Sequence, residues 1–371
     1  MRVLQFITPN GFYGAERWVV AFARNIESGF DTCDLVVTKE SESQDLSILE
    51  YYPEKAGKSH VINLKNKFDI LSAVDQLSKI IKQQKIDIIH THGYKSDIIG
   101  LLAAKKTKII GVATPHGFST QMDFKLKLYT TLGNFSLKHF DAVAPLSMEL
   151  MNDMVRLGVN TDKTTFIENG VDLTELKPMV QDSVTIKNEN NYTIGYVGQL
   201  IPRKGVKDLI NAFSKFHETY PQSQLQLVGD GEQKQELINH AKTLKCYESI
   251  HFLGFRTDRL ELLKNFDVFC LASELEGIPR CIMESLAIKT PVVAYNIPGV
   301  DQIIVHGKTG LLAEHGNVDE LTTHLRKMVE DKALQLKIID EGYKLVNKRF
   351  SASRMVNEYK DLFNKLTCAL G

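Results

Sequence analysis

The sequence predicts an α/β protein built from two doubly wound domains, each a parallel sheet covered by helices on both faces. Three observations predict this. Apolar runs of about four to eight residues alternate with stretches of helical period along nearly the whole chain. Those runs are apolar on both faces, as strands buried between two helical layers must be. The rhythm breaks once, near the middle, and a chain of 371 residues is long enough for two ordinary domains.

In the first half the strand-like runs are Val3–Thr8, Asp34–Thr38, Ile86–His92, Lys108–Pro115, Asp141–Leu146 and Thr165–Asn169. Between them Ile70, Val74, Leu77 and Ile81 recur at helical spacing and predict one apolar helix face. The stretch from Lys177 to Tyr192 is polar, carries Pro178 and contains the Asn/Glu-rich run Lys187–Asn191, which reads as a linker. Domains of residues 1–178 and 179–371 follow. The alternation then restarts with Tyr192–Gly198, Gln224–Asp230, Ile250–Phe255, Asp267–Ser273 and Pro291–Asn296. Ligands of such sheets bind at the carboxyl ends of strands, so the expected site is a cleft where two facing sets of strand ends meet.

Composition excludes several classes of function. Lys plus Arg and Asp plus Glu both number 45, which leaves no global attraction for nucleic acid, and 43% hydrophobic with 24% charged residues excludes disorder. No stretch reads as a secretory leader or as an apolar span of about 18 residues, so the expected compartment is the cytoplasm. The five cysteines, Cys33, Cys246, Cys270, Cys281 and Cys368, show no C-x-x-C spacing and suggest neither disulfides nor a zinc ribbon.

The most informative stretch runs from Ser273 through Glu276-Gly277-Ile278-Pro279-Arg280-Cys281 to Glu284, followed by the strand Pro291-Val292-Val293-Ala294. A buried strand enters a glycine turn, and Pro279 suits the first position of the next helix. The amides of Ile278, Arg280 and Cys281, at the positive end of the helix dipole, form an anion site worth about 0.3–1 kcal/mol to a phosphate; Pro279 has no N–H to give. Glu284 lies about 7.5 Å further along the helix, within reach of a ribose extending from that phosphate. Glu276, ahead of the helix, can accept from the hydroxyls of a second group. Two carboxylates flanking a diphosphate suit a nucleotide-sugar. A helix carrying one solvated glutamate and preceded by another fits the same residues equally well.

Glu276-x7-Glu284, with Glu-Gly-Ile-Pro inside it and Pro-Val-Val-Ala after it, resembles the signature of retaining glycosyltransferases of family 4, which have the GT-B fold. Other pieces match in the expected order: Gly14-Ala15-Glu16, Asp87-Ile88-Ile89-His90-Thr91-His92, Ala113-Thr114-Pro115-His116-Gly117, Glu168-Asn169-Gly170-Val171-Asp172, Gly195-Tyr196-Val197-Gly198 through Lys204-Gly205, Leu227-Val228-Gly229-Asp230-Gly231 and Phe252-Leu253-Gly254. The resemblance implies that Glu276 binds donor-sugar hydroxyls and Glu284 the ribose. It implies that Lys204 neutralises the diphosphate as the sugar–phosphate bond breaks, where a preorganised donor is worth roughly 10²–10³ in rate. Gly229 and Gly254 would bring backbone to the base and ribose, Gly14 would bring backbone to the phosphates, and His116 would lie near the sugar's anomeric end. His90 and His92 are expected to be structural, no metal or other cofactor is expected, and the last helix, about 350–371, is expected to cross back to the first domain.

Three departures stand out. Gln199 occupies the place of a family arginine, with Arg203 beside Lys204 as a substitute; Tyr13-Gly14 replaces a Gly-Gly pair; and Lys289 stands where glycine is frequent, read as surface variation. From Lys95 to Phe140, seven lysines against Asp97 and Asp123 leave a local excess of +5 interleaved with apolar residues, which suits peripheral contact with the anionic inner face of a membrane. A helix packed on its own sheet with solvated lysines fits the segment as well. The expected activity is therefore transfer of a hexose from a nucleotide diphosphate, UDP before others, to a hydroxyl of a cell-surface polysaccharide, lipopolysaccharide or lipid-linked glycan. A non-catalytic transferase-like subunit of a glycan-assembly complex is the alternative that Gln199 keeps open.

Overall fold

The computed structural model describes residues 1–9, 11–66, 69–117, 124–180 and 191–369. It divides into two compact units, Met1–Asp172 with Ala352–Gly371, and Leu173–Ser351. The first unit holds strands β1 (Arg2–Ile7), β2 (Thr32–Lys39), β3 (Ser59–Asn63), β4 (Ile88–His92), β5 (Ile110–Ala113) and β6 (Ala142–Val143), ordered β3-β2-β1-β4-β5-β6. The second holds β7 (Thr193–Val197), β8 (Gln224–Val228), β9 (Ile250–Gly254), β10 (Val268–Leu271), β11 (Val292–Asn296) and β12 (Leu311–Glu314), ordered β12-β11-β10-β7-β8-β9. Every pairing is parallel, so each connection crosses over a sheet face and helices cover both sides. In each unit the winding reverses at one place, between β1 and β4 and between β7 and β10, and such switch points are where ligands of open sheets bind.

The sheets form where the apolar runs predict them, with three differences. Thr165–Asn169 is not a strand: it runs extended beside β6, bonded through single amides such as Thr165 to Val143 and Ile167 to Pro145, because a two-residue strand offers no longer ladder. β3 escapes the apolar criterion because it is an edge strand whose Ser59, Val61 and Asn63 are exposed. β12 is only four residues long, with Leu311 and Ala313 alone buried. The predicted helix face lies on the helix Ile70–Gln84, where Val74, Leu77 and Ile81 are buried.

The core of the first unit is closed by residues distant in sequence. The helix Ala352–Cys368 lays Met355, Tyr359 and Phe363 against Trp18 and Phe22 of the helix Gly14–Arg24. Its start is pinned by the Ala352 amide on Val171 O at 2.8 Å, and Tyr359 reaches Thr114 Oγ1 at 2.7 Å. Lys289, expected to be surface variation, has φ of +66° and therefore sits in the left-handed region at a helix end, where glycine is free of strain. Much of the linker, residues 181–190, lies outside the described residues.

Asp97, buried in the first turn of the helix Tyr94–Thr107, accepts from Thr91 Oγ1 at 2.6 Å, and burial pushes its carboxyl up to about 7. The unfolded chain ionises near 3.9, so the stability this acid contributes is present at pH 4 and lost as pH rises toward 7. Asp97→Asn keeps an acceptor for Thr91 and removes the buried charge. It raises the melting temperature at pH 8 by several degrees and leaves it near wild type at pH 4, as calorimetry at both pH values would register.

Candidate active site

The residues after β7 and β10 are brought together by a close backbone approach. Gly205 has φ of +58°, and a Cβ there would stand 1.9 Å from Ala272 O, so the 3-10 turn Pro202–Lys204 can press against the end of β10 only with glycine behind it. Two further bonds hold this contact: the Glu274 amide reaches Arg203 O at 2.9 Å and Arg203 Nη1 donates to Leu275 O at 3.2 Å. Lys204 Nζ then lies 2.5 Å from Glu276 Oε1, and Ser273 Oγ donates to the same oxygen at 2.7 Å. Glu276 is buried and Glu274 exposed. Glu276 Oε2 has no partner among the described residues, which leaves it able to accept from a ligand. Arg203 thus clamps the loop, and Gln199 is an exposed side chain whose backbone oxygen accepts from buried Tyr196.

Pro279 is the residue before the helix rather than its first residue. It has φ of −70° and ψ of 115°, and its carbonyl accepts from the Ile282 and Met283 amides at 3.1 and 3.3 Å. The helix is Arg280–Ala287, so the Arg280 and Cys281 amides lie in its first turn, where no intrahelical carbonyl serves them. Burial, and then the charge of Glu276, push the Cys281 thiol up to about 12, so it is a packing group and not a nucleophile. Ile278 is buried in the preceding loop, and the Gly277 carbonyl rests against Gly299, where a Cβ would come within 1.6 Å.

Glu284, one helical stretch further on, is 3% exposed and is gripped by two guanidinium groups: Arg259 Nη2 at 3.0 Å and Arg280 Nε at 2.7 Å, both on Oε1. Sequence reasoning missed Arg259. The signal was there, because a cation at the first position of the helix Arg259–Lys264 opposes the helix dipole and needs a carboxylate to hold it. Beside these, Gly198, Gly229 and Gly254 meet at the ends of β7, β8 and β9: the Gly229 amide reaches Gly254 O at 2.8 Å and the Gly198 amide reaches Val228 O at 3.0 Å. Bare backbone is presented where side chains would stand.

The first unit holds the remaining predicted residues. Gly14 opens the helix Gly14–Arg24, and a Cβ there would meet nothing within 4 Å, so the fold alone does not demand glycine. Glu16 accepts from the Tyr13 amide at 3.1 Å and caps that helix. His116 Nε2 lies 3.0 Å from His92 Nδ1 and its ring stands edge-on to Trp18, while His90 Nε2 lies 2.7 Å from Thr114 Oγ1. His92 is thus more than a strand-end packing group, since it holds His116. Among the described residues no cluster of three His, Cys, Asp or Glu side chains forms a metal site, and no helix is long and apolar enough to cross a membrane.

The repeated strand order and the strand-end glycines define a GT-B fold. An Anabaena protein, HepE, crystallised in complex with UDP, superposes with a TM-score of 0.83 at 20% identity over 98% of this chain and all of that one. The chain belongs to the GT-B glycosyltransferases: the family model described as glycosyltransferase family 4 matches residues 12–175, and that of glycosyl transferases group 1 matches residues 181–345. An Escherichia coli UDP-Gal:alpha-D-GlcNAc-diphosphoundecaprenol alpha-1,3-galactosyltransferase is 29% identical over 79% of each chain. A Campylobacter jejuni N,N'-diacetylbacillosaminyl-diphospho-undecaprenol alpha-1,3-N-acetylgalactosaminyltransferase is 26% identical over 81% of each.

Glu276→Gln keeps acceptors for Ser273 and Lys204 but removes the carboxylate. It lowers donor turnover roughly 10²–10³-fold and, because Lys204 loses its counter-charge, lowers the melting temperature while the folded secondary structure is kept, as circular dichroism would register. Exposed Glu274→Gln stays within a few-fold of wild type, and paired initial-rate assays distinguish the two.

Proposed function

We propose that this protein is a retaining hexosyltransferase that takes a sugar from UDP and passes it to a hydroxyl of a lipid-linked glycan, lipopolysaccharide or cell-surface polysaccharide, at the cytoplasmic face of the membrane. The observation that carries the reading is the pair of half-buried Lys204 with buried Glu276, in the loops leading to the helix Arg280–Ala287, which sets a cation, a carboxylate and helix amides within one loop system. The diphosphate sits on the Arg280 and Cys281 amides, and Lys204 answers the charge that grows as the sugar–phosphate bond breaks. Glu276 accepts from sugar hydroxyls, Glu284 from the ribose, and the backbone at Gly229 and Gly254 receives the base. His116 is assigned to a hydroxyl of the sugar or the acceptor.

The protein supplies position and fixed charge, and the departing phosphate takes the acceptor's proton in a front-face displacement. With Lys204 and the helix amides at hand, the diphosphate needs no bound cation. The diphosphoundecaprenol acceptors named for the two relatives support a lipid-linked acceptor here. Leu102, Leu132 and Phe135, exposed on the helices Tyr94–Thr107 and Phe124–Leu137, offer apolar contact to the membrane carrying it. Of the lysines nearby, Lys95 pairs with Glu40 and Lys106 with Asp75, while Asp123 and the side chains of Lys125 and Lys127 lie outside the described residues.

A panel of UDP-, GDP-, ADP- and dTDP-sugars, scored by thermal shift and slow donor hydrolysis, tests the reading. A UDP-hexose stabilises the protein and is hydrolysed by wild type but not by Glu276→Gln, releasing the sugar with its anomeric configuration kept. Binding without hydrolysis under any donor would instead support the non-catalytic subunit.

A further inference from the structure

We infer that Gln5 and His92 are positioning residues that fix the tautomer of His116, so that His116 presents a bare Nδ1 and acts toward its ligand as a hydrogen-bond acceptor only. The inference rests on the assignment of His116 to the ligand site made above and settles its chemical role there.

The chain of contacts leaves one solution. Gln5, within β1 and fully buried, points Oε1 at His92 Nε2, 2.6 Å away. An amide oxygen only accepts, so His92 carries its proton on Nε2. Burial holds His92 far below its usual range, so it is a neutral imidazole with one proton, and its Nδ1 is a bare acceptor. His116 Nε2, 3.0 Å from that Nδ1, must therefore be the donor. Burial pushes His116 down to about 3, so it too is neutral, and its Nδ1 has a lone pair and no partner among the described residues. A hydroxyl meeting His116 gives its hydrogen to Nδ1, and at so low a basicity it keeps its proton. His116 orients that hydroxyl without deprotonating it, which fits a reaction in which phosphate takes the proton.

The relay is set at its far end. Gln5 Nε2 faces Cys33 Sγ at 3.6 Å, and Tyr52 Oη lies 3.5 Å from the same sulfur. Burial pushes the Cys33 thiol up to about 11, so it remains a thiol. Turning the Gln5 amide over would place a donor on His92, move its proton to Nδ1 and convert His116 into a donor. One buried side-chain amide on β1, between Cys33 of β2 and His92 of β4, thus decides which polarity of partner His116 accepts. The sequence shows none of this, since Gln5 reads as an isolated polar residue within an apolar strand.

Long-range ¹H–¹⁵N NMR of the ¹⁵N-histidine-labelled full chain tests it without any ligand, with His92 and His116 assigned by the signals lost in His92→Phe and His116→Asn. Both rings should show a protonated Nε2 and a bare Nδ1. Gln5→Glu, which can only accept, should keep both tautomers; Gln5→Leu should leave them mixed or reversed, and donor hydrolysis should fall roughly 10–100-fold, the size seen when the outer partner of a metal-bound histidine is removed. A protonated Nδ1 on wild-type His116, or tautomers unmoved by Gln5→Leu, overturns the inference. Because the spectra need no donor, failure of the sugar panel would count against the transferase reading and leave the tautomer result standing.

Discussion

The second unit depends on placing Lys204 against Glu276 with little water around either. Removing two charges from water costs several kcal/mol each, and their attraction repays that cost only where geometry is held tightly and the remaining polar atoms are served. The fold supplies that hold. Gly205 permits a backbone contact that any side chain would block, Arg203 ties the two loops together twice, and Ser273 shares the carboxylate oxygen. The pair is therefore positioned before any ligand arrives, which is the condition under which a fixed charge stabilises a transition state most strongly.

The two units follow opposite electrostatic strategies. In the second, Lys204, Arg259 and Arg280 are all anchored on buried carboxylates, so positive charge is concentrated yet immobile. In the first, His90, His92 and His116 cluster around Trp18 and bond to Thr114, Gln5 and one another rather than to a carboxylate, and desolvation keeps all three below their usual range. One region concentrates fixed positive charge, and the other presents neutral imidazoles.

Much of this was legible in the residues. Apolar runs located the strands around both switch points, and the spacing of Glu276 and Glu284 about a helix start indicated an anion flanked by carboxylates. What escaped had physical reasons. β3 is an edge strand with a polar outer row, and β12 is too short to show a period. Thr165–Asn169 is apolar enough for a strand but lacks a neighbour long enough to pair with. Gln5 reaches its partner across 87 residues, and no local pattern records such a contact; for Arg259, whose partner lies 25 residues away, the only local sign was a cation at a helix start. The left-handed backbone at Lys289 had a sign, the glycine frequent at that place, but only the structure shows that what glycine would relieve there is backbone strain.

The helix Ala352–Cys368 has a consequence for how the protein is made. It follows the whole of the second unit in the chain, yet its Tyr359 and Phe363 complete the core around Trp18. During synthesis the second unit emerges with all of its strands before the first has received its last helix. The first unit must wait, with an apolar face uncovered, for more than half of the chain to leave the ribosome after its own sheet is complete. Vectorial order thus makes the earlier half the later one to close, and a nascent chain stalled within the second unit would carry the exposed surface that chaperones recognise.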